Sequence, residues 1–99
     1  MATTEKTMNG KTNKRTIAAH LRRMDLAIRN WQLEGEKAAR RGDADLAGTY
    51  ARDAEDLQAI RDAYARGELD SARGMIDSLD TIVRDQIPMQ LYYHLFPNR

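Results

Sequence analysis

The chain has no cysteine, so it carries neither a disulfide framework nor a thiolate metal site. It has no apolar run approaching the roughly 18 residues that a membrane-spanning helix needs. Its N-terminus lacks the apolar stretch of a secretory signal. Nothing directs the chain out of the cytoplasm, which is its expected location. Histidine is scarce, represented by His20 and His94 alone. There is no HExxH pair, phosphate-binding glycine loop, dinucleotide fingerprint or nucleophile elbow. The expectation is a protein that binds rather than catalyses, with no metal and no cofactor.

Large apolar side chains are few as well. Leu, Ile, Val and Phe total 17 of 99 residues, against 14 alanines. So low a fraction combined with high net charge signals disorder. Here the net charge is only +1, and the apolar residues recur with strict periods, so we read folded helices. A core this modest in a short chain leaves little stability margin. A homo-oligomer, in which copies bury further surface, is therefore the expected state.

What the chain has is charge, unevenly placed. Residues 1–42 hold ten Lys/Arg against four Asp/Glu, and residues 43–99 hold six against eleven. The halves can attract one another within a chain or between antiparallel copies.

Residues 1–15 are polar, basic and without period, which predicts a disordered basic arm ahead of a single helical domain over 16–99. From Thr16 the spacing of Ile17, Leu21, Met24, Ile28 and Trp31 is that of a coiled-coil-like seam. We take these five as the candidate oligomer interface, with Trp31 as its anchor. Gly42 is placed to end this helix in the left-handed conformation, and Asp43 to cap the next. Leu46, Tyr50, Leu57, Ile60 and Tyr64 then form a second stripe, closed by Gly67. A third runs through Leu69, Ala72, Ile76, Leu79 and Val83, widened by Met75 and Ile82, with Asp70 as candidate cap. Pro88 ends or kinks that helix. The predicted fold is all-α: an antiparallel hairpin (about 16–41 and 43–66), a third helix (about 68–87) completing a three-helix bundle, and a short C-terminal helical segment.

Three constellations can carry function. Asp77, Asp80 and Asp85 supply carboxylates, but Asp80 and Arg84 at i,i+4 form a ready ion pair, and metal binding is set aside. Arg15, Arg22 and Arg29 recur every seven residues with Arg23 and Lys37 on the adjoining row, a stripe that can track a phosphate backbone. Against that, Asp25 stands three residues after Arg22 and four before Arg29, and Glu36 four before Arg40, as on many solvated helix faces. The tail gathers Tyr92, Tyr93 and His94, and Arg84 lies one turn before Pro88, the rings and cation that hold a base and its phosphate. The bland alternative is that Leu91, Leu95 and Phe96 merely pack across the bundle end.

In size and helical build the chain resembles small phage- or plasmid-encoded proteins that block host defences, including anti-CRISPR proteins and sponges for cyclic-nucleotide signals. That resemblance, of size and style only, implies an oligomeric inhibitor that captures one host target, a defence complex or a nucleotide signal. It carries over no functional positions, and Arg84, Tyr92, Tyr93 and His94 are ligand-binding candidates from the composition of the tail itself. The alternative is a nucleic-acid-binding accessory protein acting through Arg15, Arg22, Arg23, Arg29 and Lys37.

Overall fold

The computed structural model describes residues 2–98, with side chains over 14–98. The basic arm read over 1–15 lies, up to residue 13, outside the side chains described. The described residues form five helices, α1 (Ala2–Arg40), α2 (Ala44–Ala65), α3 (Leu69–Asp77), α4 (Thr81–Arg84) and α5 (Met89–Leu95), joined by short turns. No strand occurs among the described residues. No described helix is long and apolar enough to cross a membrane.

Two glycines set the topology. Gly42 (φ 82°) and Gly67 (φ 78°) both adopt the left-handed conformation that only a residue without Cβ takes cheaply. At each, two backbone bonds close the preceding helix: Asp43 N–H to Ala38 O and Gly42 N–H to Ala39 O, then Glu68 N–H to Ala63 O and Gly67 N–H to Tyr64 O. The Asp43 carboxylate accepts from Leu46 N–H at 3.1 Å, capping α2 as expected. At the second turn the cap is Glu68 rather than Asp70. Asp70 sits in the first turn of α3 and pairs with Arg73 at 2.8 Å.

The tight first turn folds α2 back along α1 as an antiparallel hairpin. Pairs between the helices run in opposite senses: Trp31 against Tyr50, Asp25 against Arg61, and His20 against Tyr64. Met24 and Ile28 from the first seam, with Leu57, Ile60 and Tyr64 from the second, are buried. Ile17, Leu21 and Trp31 pack against that core while partly exposed. In the single chain, then, α2 occupies the seam read as an oligomer interface.

The third helix does not run on to residue 87. It stops at Asp77, and a one-turn α4 follows. Ser78 closes the last turn, its hydroxyl donating to Gly74 O at 3.0 Å and its N–H to the same oxygen at 3.2 Å. Leu79 N–H closes a tighter turn on Ile76 O, and Asp80 is extended at ψ 152°. The break rotates α4 so that Val83 points inward while Ile82, expected on the buried face, is 71% exposed. Pro88 then opens α5, which lays Leu91 and Leu95 into the core with Phe96 beside them.

Candidate functional site

Arg84, Tyr92 and Tyr93 come together. They line one open groove of 350 Å³ with Asp85, Ile87 and Met89. The floor is anchored by Ile87, which is buried, and the rim is apolar and exposed at Met89 (67%) and Tyr93 (53%). Tyr92 meets Tyr93 edge-on at 5.9 Å and Phe96 at 5.0 Å, so its ring is braced from both sides. His94, read as part of the same set, does not join it.

The role of Arg84 differs from its sequence reading. It makes no ion pair with Asp80; its Nη2 donates to Asp77 O at 3.3 Å and Leu79 O at 2.9 Å. The guanidinium thus satisfies carbonyls that the break after α3 leaves open. Its Nε is buried without a partner among the described residues. A guanidinium committed to backbone carbonyls, with Asp85 in the same groove, is a weak phosphate receptor.

His94 instead faces His20 and Tyr64, a cluster that the sequence reading missed. His20 Nδ1 and the Tyr64 hydroxyl share a hydrogen bond of 2.9 Å, and the His94 ring lies 5.8 Å from His20 and 6.0 Å from Tyr64. The cluster draws on α1, α2 and α5. Burial, then the charge of His94, then that of Arg23, hold the His20 imidazole below its ordinary pKa. Burial likewise raises the Tyr64 phenol. Both groups therefore favour their neutral forms, and a neutral pair is the hydrogen-bonded unit that a low-dielectric interior tolerates. His20 is 2% exposed and belongs to the core. The signal was legible: His20 and Tyr64 stand equally far from Gly42 on either side of the turn.

The arginine stripe of α1 is exposed throughout, at Arg15, Arg22, Arg23, Arg29 and Lys37. Asp25, expected to neutralise Arg22 and Arg29, is turned to Arg61 of α2 at 3.0 Å. Arg61 also reaches Asp62 at 3.4 Å. Lys37 pairs with Glu34, and Arg40 with Glu36 as expected. Arg22, Arg23 and Arg29 make no ion pair among the described residues. Two leucines share their face: Leu26, 64% exposed, and Leu33, 38% exposed.

The described residues hold no group of three or more His, Cys, Asp or Glu placed for a metal. Compared with known proteins, the chain matches no family model, no curated protein and no solved structure, so its function has to be argued from its own residues.

Proposed function

We propose that this chain is a non-enzymatic binding protein that captures a protein target on its C-terminal surface, the groove at Arg84 with its rim of Met89 and Tyr93. One observation carries the reading. The tail sends Leu91, Leu95 and Phe96 into the core yet leaves Met89 and Tyr93 in solvent on a groove that Arg84 also lines, and Ile82, two residues before Arg84, is exposed as well. Exposed Met and Tyr around a concave apolar floor are the composition of protein-binding hot spots. A blocker of a host complex, of the kind that phage- and plasmid-encoded helical proteins supply, needs nothing more. Oligomerisation and the completion of a three-helix bundle belong to the same reading, since a thin core gains from a second copy.

The test combines two measurements on the intact chain. A photo-crosslinking residue at Tyr93, with Asp45 as an exposed control, is expected to join one protein specifically. That adduct should disappear in Met89→Asp and Ile82→Asp variants with unchanged helical circular dichroism. No adduct at Tyr93 beyond the control would overturn the reading. A native mass spectrum that shows a nucleotide-sized adduct lost in Tyr93→Ala would replace the protein target with a nucleotide.

A further inference from the structure

The outward face of α1 lies outside the groove proposed for target capture, and Arg22, Leu26 and Arg29 on it are exposed among the described residues. Leu26 lies between Arg22, one turn before it, and Arg29, one turn after, so a projecting aliphatic side chain is flanked by two guanidiniums without ion-pair partners. Arg22 and Arg29 stand about 10.5 Å apart along the helix at 1.5 Å per residue. An exposed leucine in a cationic frame is a poor fit to a phosphate backbone, which offers charge but nothing apolar to receive it. The same pattern suits a protein surface with an apolar hollow and an acidic rim.

Such a hollow exists on the chain itself. Between α2 and α3 a notch of 210 Å³ is lined by Asp56, Ala59, Ile60, Met75, Ser78 and Leu79. That volume equals about seven waters at ~30 Å³ each, more than a leucine side chain fills. Asp56 lines the notch, Asp80 follows the lining Leu79, and Asp53 lies close enough to both carboxylates to feel their charge; none of the three forms an ion pair among the described residues. Burial, then the charges of Asp56 and Asp80, raise the Asp53 carboxyl, while Arg52 opposes them. Guanidiniums placed there would relieve like-charge repulsion.

We propose that the outward face of α1 docks into the α2–α3 notch of a second copy, with Leu26 entering the hollow and Arg22 and Arg29 meeting Asp53, Asp56 and Asp80. The two surfaces differ, and they lie on different sides of the molecule. Association is therefore heterologous, head to tail, and grows into a ring or an open chain rather than stopping at a symmetric dimer. Ion pairs at the rim make it sensitive to salt. The surface uses none of the residues assigned to target capture, so target capture can fail while association holds, and association through these residues can fail while target capture holds.

Sedimentation velocity on the intact chain decides the matter, with two charge-reversed variants, Arg22→Glu/Arg29→Glu and Asp53→Arg/Asp56→Arg. Wild type is expected to grow beyond a dimer with concentration at low salt and to shrink on adding salt. Each variant alone should stay monomeric, with its dissociation constant raised roughly tenfold or more. Mixed in equal amounts, the two variants bring opposite charges together at both contacts, the intact arginines on the intact aspartates and the two reversed surfaces on each other, so the mixture should associate again. If a reversal disturbs helical circular dichroism, Arg22→Gln/Arg29→Gln and Asp53→Asn/Asp56→Asn take its place. A monomeric wild type, a variant that associates like wild type, or a mixture that stays monomeric would each overturn the proposal. So would a monomeric wild type that binds duplex DNA and loses it on Arg22→Glu/Arg29→Glu, an outcome that assigns the face to nucleic acid.

Discussion

The two ends of the α1–α2 hairpin are built from the same pair of helices and hold together differently. Near the turn the helices meet through small residues: a Cβ on Gly35 would lie 3.5 Å from Tyr50 Cβ and 3.6 Å from Ala47 O. Beyond Ala38, burial there depends on the tilted stack of Trp31 on Tyr50 at 5.1 Å. At the other end Met24, Ile28, Leu57 and Ile60 are covered by residues of α3, α4 and α5, among them Ile76, Val83, Leu91 and Leu95. The molecule measures 60 × 21 × 19 Å, about two helix diameters across, so a hairpin alone cannot enclose a core. The difference teaches that the short C-terminal elements, not the long helices, enclose the large apolar side chains. Both surfaces proposed for binding are assembled around that same end.

The largest effect should come from hollowing the covered end. Leu57→Ala removes a side chain with no exposure and is expected to cost about 2–5 kcal/mol. Leu46→Ala near the turn, where the side chain is half-buried, should cost about 1 kcal/mol. Urea denaturation of both variants checks the contrast, and equal losses would erase it.

A smaller effect is expected at the turn itself. Gly42→Ala forces a residue with Cβ into φ 82° and should cost about 1–2 kcal/mol, although the added carbon meets nothing within 4 Å. Because the strain is local, hydrogen exchange should quicken around residues 36–48 more than at Leu57 and Ile60. Uniform acceleration would show that the two ends open as one unit.

The smallest effect concerns the His20 cluster, the polar exception within the covered end. The folded state holds His20 below its ordinary value of 6.5, whereas the unfolded chain titrates near that value. As pH falls below 6.5 the unfolded state takes up a proton that the folded state refuses. This contribution to stability is therefore complete above 6.5 and is lost progressively toward the lowered folded value. The urea midpoint should drop between about pH 7.5 and 5.5, and His20→Gln should flatten that dependence. A His20→Gln variant with the wild-type slope would place the titration elsewhere.

The hairpin could be read from the residues because each of its determinants is local. Gly42, Asp43 and Gly67 impose their conformations by their own chemistry, and the seams at Met24, Ile28, Leu57, Ile60 and Tyr64 follow the helical repeat. The third helix could not. Its apolar spacing continues through Val83, and the tight turn of Leu79 N–H on Ile76 O, with Arg84 reaching back to Asp77 O and Leu79 O, leaves no trace in that spacing. Arg84, Tyr92 and Tyr93 were legible as a neighbourhood through proximity in sequence. The committed state of the guanidinium was not.

The sequence by itself determined an all-helical chain, where its two glycine turns fall, and which stripe of each long helix is apolar, since backbone conformation and periodicity act over a few residues. Only the tertiary structure decided which charges remain available. Asp25 had two arginines within a turn on its own helix and pairs with Arg61 on the other. His94, one residue from Tyr93, faces His20 across the molecule. Partner choice depends on which side chains converge in space once the helices have packed, and local spacing carries no record of that.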